Sequence, residues 1–247
     1  MTSEHILKSY DEELKRLDST LVQMGGMVEA QISDSVGAFR RRDTALAEQV
    51  IGTDARIDAL NHEIDAFAVR MLALRQPMAS DLRRIVAALR IAGDLERIGD
   101  YAANVAKRTV ALNQLPAVKA AVGIPRMGRL VSQILHDVLD AFTERDADKA
   151  RAAWARDEEV DEMYTSLFRE LLTYMMEDPR NITPCTHVLF IAKNIERMGD
   201  HATNIAETIY FMVHGKPIQE ARPKGDTTSY TLVEPGGGSH SGRGDAS

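Results

Sequence analysis

The chain has 247 residues, a formal net charge of −7, 44% hydrophobic and only 5% aromatic residues, and a single cysteine. That length suits one large domain or two ordinary ones. The acidic balance, with no Lys/Arg stripe beyond Arg40-Arg41-Arg42, argues against a nucleic-acid partner, and a lone Cys185 excludes an intrachain disulfide and suits a reducing compartment.

The first segment places Leu7, Tyr10, Leu14, Leu17, Leu21, Met24, Val28, Ile32, Val36 and Phe39 at steps of three and four. This predicts one long amphipathic helix with a coiled-coil-like seam. Gly25-Gly26 is expected to weaken or bend it, and Arg40-Arg41-Arg42 suits its carboxyl end. Asp43 is placed to cap a second helix, which keeps helical spacing from Leu46 to Leu74 and stops at Pro77. A third helix is expected from about Ala79-Ser80-Asp81 to Leu115-Pro116.

The same order then returns. Pro125 and Gly128 are expected to precede a fourth helix carrying Leu130, Ile134, Val138, Leu139 and Phe142, and Arg145-Asp146-Ala147-Asp148 reads as a turn and cap. A fifth helix is predicted through Trp154, Val160, Met163, Leu167, Leu171, Leu172 and Met175, broken by Asp178-Pro179. The sixth starts near Thr183-Pro184, where proline suits a first turn, and ends near His214-Gly215. The expected fold is all-α: two tandem three-helix bundles, residues 1–115 and 116–215, followed by a Pro/Gly/Ser-rich flexible tail at 216–247. Within that tail, Thr228 to Val233 carries no assigned role, and Arg243-Gly244-Asp245 is a chance match to an adhesion tripeptide. The amino terminus has no signal-peptide pattern, and no apolar run approaches the ~20 residues of a membrane span. A soluble cytoplasmic protein is expected, with membrane association only through partners.

The third and sixth helices share a motif. Glu96-Arg97-Ile98-Gly99-Asp100-Tyr101-Ala102-Ala103-Asn104 returns 100 residues later as Glu196-Arg197-Met198-Gly199-Asp200-His201-Ala202-Thr203-Asn204. Such a repeat signals two related units. Residues i and i+4 share a helix face, so Glu96, Asp100 and Asn104 form one oxygen-rich ridge, and Glu196, Asp200 and Asn204 form its twin. Like charges at this spacing cost a few tenths of a kcal/mol, and a mid-helix glycine about 1 kcal/mol. Both copies accept the same two penalties, which calls for a compensating cation, arginine or close backbone contact. The middle helices add Asp54 with Asp58, and Asp157 with Asp161, again at i and i+4. If middle and third helices lie side by side, each bundle gathers four carboxylates. That donor set suits Mg²⁺, Mn²⁺, Ca²⁺ or iron. Arg97, Asn104, Arg197, Asn204 and His201 are candidate flanking residues. A surface network of ion pairs, with Arg56 and Arg156 beside the aspartates, explains the same pattern without a metal.

No Glu-x-x-His of the ferritin-like di-iron kind, no phosphate-cradling G-x-x-x-x-G-K-[ST] loop and no Ser/His/Asp or Cys/His set is readable. His62, His136 and His187 are expected to be solvated or packed.

The doubled motif, with Leu74-Arg75-Gln76-Pro77 and Tyr174-Met175-Met176-Glu177-Asp178-Pro179-Arg180 as interhelical breaks, resembles the PhoU family over about residues 3–214. The tail beyond Lys216 departs from a typical member. The resemblance implies a cytoplasmic negative regulator of the phosphate-starvation response. Such a protein links the ATPase subunit of the high-affinity phosphate ABC transporter to a membrane sensor histidine kinase, and restrains uptake when phosphate is plentiful. It also implies metal (Mg, Mn, Zn or Fe) at Glu96, Asp100, Glu196 and Asp200 with Asp54, Asp58, Asp157 and Asp161, and a homodimer is expected. A non-catalytic regulatory adaptor, a carboxylate-metal enzyme such as a phosphohydrolase, and a purely structural helical scaffold remain the three readings of the residues.

Overall fold

The computed structural model describes residues 2–117, 119–220, 222 and 228. Among the described residues, seven α-helices follow one another: α1 Thr2–Arg41, α2 Thr44–Arg75, α3 Ala79–Leu112, α4 Gly123–Glu144, α5 Ala147–Trp154, α6 Asp157–Glu177 and α7 Ile182–His214. Short 3₁₀ turns lie at Lys119–Val122 and Pro179–Asn181, and the described residues contain no strand. Most of the predicted tail, with Ser229 to Val233 and Arg243-Gly244-Asp245, lies outside the described residues.

The seam of α1 is the predicted one: Leu14, Leu17, Leu21, Met24, Val28 and Ile32 are all buried. The expected weakening at Gly25-Gly26 does not appear, and α1 continues through both. A Cβ on Gly25 would stand 2.6 Å from Leu139 Cδ2, and one on Gly128 of α4 would stand 2.6 Å from Val36 Cγ2. The glycines therefore let α1 and α4 meet closely, and tertiary packing supports a residue that helix propensity alone disfavours.

The caps at Asp43 and Asp146 form as read. Asp43 accepts from the Leu46 N–H, and Asp146 accepts from the N–H groups of Asp148 and Lys149. Three boundaries differ. Helix α3 ends at Leu112, where Arg42 donates to the Leu112 and Leu115 carbonyls at 3.0 and 2.6 Å, satisfying acceptors a helix end exposes. Helix α4 begins at Gly123 and contains Pro125 and Gly128; proline is tolerated there because first-turn N–H groups have no intrahelical partner. The predicted fifth helix is two, α5 and α6, parted at Ala155-Arg156.

The third helices form the spine. Helix α3 packs on α1, α2 and α7, while α7 packs on α4, α5, α6 and α3; α1 against α4 joins the halves again. Both spine helices bury small residues: Ala92, Ala102, Ala103, Ala192, Ala202 and Ala206 are fully buried. One continuous core runs through both bundles.

Candidate functional site

In each half the middle and third helices do lie side by side, and the motif glycine explains how. A Cβ on Gly99 would be 3.2 Å from Ile57 Cδ1, and one on Gly199 would be 3.3 Å from Val160 Cγ1. Ile57 sits between Asp54 and Asp58, and Val160 between Asp157 and Asp161. Each glycine admits the neighbouring helix and so brings its aspartate pair to the Glu-x-x-x-Asp ridge.

The two clusters are not equivalent. In the first, Asp54, Asp58, Glu96 and Asp100 crowd one another. Burial, then the charges of Asp100 and Asp58, push the Asp54 carboxyl above its ordinary value. Burial, then Asp100, do the same to Glu96, with Arg97 opposing. The only described cation within 4 Å is Arg97, 3.5 Å from both Glu96 Oε2 and Asp100 Oδ2, and its side chain is mostly exposed. Buried Gln31 of α1 reaches the same place. It donates to the Val50 carbonyl at 3.2 Å, its amide opposes the rise at Asp54, and its own Oε1 is buried without a partner.

The second cluster is deeper: Asp157, Asp161 and Glu196 are 2%, 4% and 5% exposed. It carries its own cations. Arg222, from the predicted tail, sets Nε 2.8 Å from Asp157 Oδ2 and Nη2 2.7 Å from Asp200 Oδ1, with Nη1 3.4 Å from Asn204 Oδ1. Thr203 Oγ1 stands 3.1 Å from Asp157 Oδ1. Lys193 holds Glu196 at 2.8 Å, and Asp161 is engaged as well. Burial still raises the Glu196 carboxyl to about 7, with Lys193 opposing, and Glu196 Oε2 is buried without a partner. The segment before Arg222 is anchored too: Ile218 packs on the core and Glu220 meets Arg151 at 2.5 Å.

Among the described residues, no group of three or more Asp, Glu, His or Cys side chains stands in position to hold a metal ion. In donor chemistry the first cluster suits one better than the second: four carboxylates meet with only the mostly exposed Arg97 within 4 Å to offset them, and a hard divalent cation prefers such oxygen donors. Zinc fits less well, since neither His nor Cys belongs to either cluster. In the second, Arg222 and Lys193 already supply the positive charge.

The flanking residues divide. Arg97 and Asn204 lie against the clusters. His201 instead turns across the spine, its Nδ1 2.8 Å from Asp94 Oδ1, and tilts against Tyr101. Arg197 lies over the Tyr101 ring, and Asn104 and Arg197 line a cavity away from the carboxylates. Arg156 pairs with Asp137 and Glu159. Sequence reasoning missed Gln31, Lys193, Thr203 and Arg222. Lys193 was visible as a cation three residues before Glu196; Arg222, 18 residues past Asn204 in a Pro/Gly-rich stretch, carried no signal. Cys185 is fully buried and its thiol is pushed up by that burial, the reverse of a reactive thiolate. Among the described residues, no helix is long and apolar enough to cross a membrane.

The PhoU domain family model matches residues 21–109 and again 124–209. A relative from Caulobacter vibrioides, named phosphate-specific transport system accessory protein PhoU homolog, is 53% identical over 228 residues, covering 92% of this chain and 99% of its own length. One of the same name from Rhizobium meliloti is 53% identical over 231 residues, 93% of this chain and 97% of that one. Among solved structures, PhoU from Pseudomonas aeruginosa superposes with a TM-score of 0.82 at 41% identity, covering 84% of this chain and all of that one. The phosphate transport system regulatory protein PhoU from Streptococcus pneumoniae gives 0.79 at 31% identity, over 85% of this chain and 100% of its own.

Proposed function

The chain belongs to the PhoU family, and from that premise we propose that it is a non-catalytic regulatory adaptor of phosphate transport. When phosphate is plentiful it links the ATPase subunit of the phosphate ABC transporter to the sensor histidine kinase, restrains uptake and holds the starvation response silent. It works in the cytoplasm, as a homodimer, and reaches the membrane through those partners. The observation that carries this reading is the family match over both halves, with accessory and regulatory proteins of phosphate transport as relatives that align along nearly their whole length. The test is genetic: deleting the gene should derepress alkaline phosphatase in phosphate-rich medium, and unchanged repression would contradict the proposal.

Absence of turnover is supported by the chemistry of the site. The lone thiol, Cys185, is buried, and the Thr203 hydroxyl beside Asp157 is itself fully buried and also donates to the Gly199 carbonyl. The two acidic clusters divide the electrostatic work. The first, through Asp54, Asp58, Glu96 and Asp100, binds one divalent cation, which would relieve their mutual repulsion and fix α2 against α3. The second is held by Arg222 and Lys193 and binds a divalent cation only when Arg222 withdraws.

A further inference from the structure

An open cavity of about 550 Å³ lies between α3 and α7. Its wall carries Lys107, Arg108, Lys193 and Arg197 together with Asn104 and His187, and no carboxylate lines it. In a chain with 37 acidic and 30 basic residues this is a local reversal of sign. Two of the cations are held in place by aromatic rings. The Arg108 guanidinium carbon sits 4.1 Å from the Phe190 ring centroid, and that of Arg197 5.8 Å from the Tyr101 centroid. Stacking of this kind leaves the N–H edges free to donate. Lys107, Arg108 and Arg197 make no ion pair among the described residues, although the charge of Lys107 also reaches Asp54. Lys193 is shared, since it also holds Glu196. His187 Nδ1 is buried without a hydrogen-bond partner.

The repeat supplies an internal comparison. At the 100-residue offset, Lys107 corresponds to Glu207, Arg108 to Thr208, Lys193 to Gly93 and Asn194 to Asp94. On that face His201 closes onto Asp94. Packing two such bundles back to back therefore does not need Lys107, Arg108 or Lys193, which have no cationic counterpart in the other copy; Arg197 alone is matched, by Arg97.

We propose that this cavity binds a small polyanion bearing more than one phosphoryl group, such as a pyrophosphate or nucleotide moiety. Gathering Arg108 and Arg197, which make no ion pair among the described residues, beside Lys107 and the shared Lys193 is unfavourable until an anion of two or more charges joins them. Guanidinium forks match phosphoryl oxygens with paired N–H groups. The volume exceeds that of a single orthophosphate and falls in the range of ordinary small-ligand pockets. Asn104 and Arg197, members of the repeated motif, thus serve this cavity rather than the acidic clusters. The proposal does not rest on the regulatory reading, because binding is measured on the purified chain.

The experiment is isothermal calorimetry on the full chain at low salt with pyrophosphate, metal-free ATP, orthophosphate and citrate. Pyrophosphate or ATP should bind at one per chain, and citrate about tenfold or more weaker; tighter ATP than pyrophosphate identifies a nucleotide source, and the reverse a free phosphate source. Arg108→Gln and Arg197→Gln should each weaken binding about tenfold or more, the size of a lost charge-assisted hydrogen bond. Asn194→Asp, which copies the acidic residue of the opposite face, should abolish it. Arg90→Gln, on that opposite face, should leave it unchanged. Thermal melts matching the parent identify the variants as folded. No binding by any probe at millimolar concentration, citrate binding as tight as pyrophosphate, orthophosphate binding tighter than both pyrophosphate and ATP, or undiminished binding in folded Arg108→Gln and Arg197→Gln would overturn the proposal.

Discussion

Glu96 and Glu196 occupy one place in the repeat but different surroundings: the first is part-exposed beside Arg97, the second is buried beside Lys193. Burial holds the Glu196 proton to about 7, whereas an unfolded chain releases it near the ordinary value of about 4.3. Between those values the folded state binds more protons, so in metal-free protein this group's contribution is full at the acid end and is lost as pH rises to about 7. Glu196→Gln should remove that slope, a difference of about 1–3 kcal/mol between pH 4.5 and 7.5 by urea unfolding with chelator present. A slope identical to the parent's would show that Glu196 titrates normally. Arg222 is the complementary case. Replacing it with alanine leaves Asp157, 2% exposed, without its guanidinium, and loss of one partner of such a pair costs about 3 kcal/mol. Arg222→Ala should therefore unfold at lower urea, with Mn²⁺ or Mg²⁺ restoring part of the loss; an unaltered midpoint would mean that the arginine is ornamental. All eight carboxylates were legible from i,i+4 spacing and the repeat. Arg222 and Gln31 were not, because they reach the clusters through tertiary folding, which no helical period reports.

At the level of helices, the glycines decide how closely the axes approach. Gly128 faces Val36, whose β-branched side chain has little rotamer freedom to withdraw. Gly128→Ala should destabilise by about 1–3 kcal/mol, as overpacking does, while Gly26→Ala, with open space around it, should be neutral or stabilising. Equal effects of the two in a denaturant series would refute the packing account. Helix order and the caps at Asp43 and Asp146 were readable because apolar period and cap chemistry agree. The parting of α5 from α6 was not. Ala155 stays in the ordinary helical region, and the chain tightens by i→i−3 bonds, Arg156 N–H to the Ala153 carbonyl at 3.1 Å and Glu159 N–H to the Arg156 carbonyl at 3.1 Å, with neither Gly nor Pro to mark it. The break starts α6 on Asp157, whose charge suits a helix amino terminus and meets Arg222. It also leaves the Trp154 indole donating to Glu207 at 2.9 Å.

The whole molecule is a duplicated unit whose copies have diverged in charge while keeping their packing. The spine of α3 and α7 keeps Ala92 and Ala192, Gly99 and Gly199, Ala102 and Ala202, and Ala106 and Ala206 at matching places, and is asymmetric in its polar residues. One face carries a basic cavity; the other is closed by His201 and Asp94. One acidic cluster has only the mostly exposed Arg97 beside it; the other is held by Arg222 and Lys193. Such division suits an adaptor that presents different surfaces to different partners, which a symmetric scaffold does not. The most direct test of the unequal clusters is elemental analysis of untagged protein, loaded with Mn²⁺ and dialysed. One ion per chain is predicted, lost in Asp100→Asn, retained in Asp200→Asn and rising to two in Arg222→Ala. Two ions per chain in the parent protein, or an ion lost with Asp200→Asn and kept with Asp100→Asn, would contradict it.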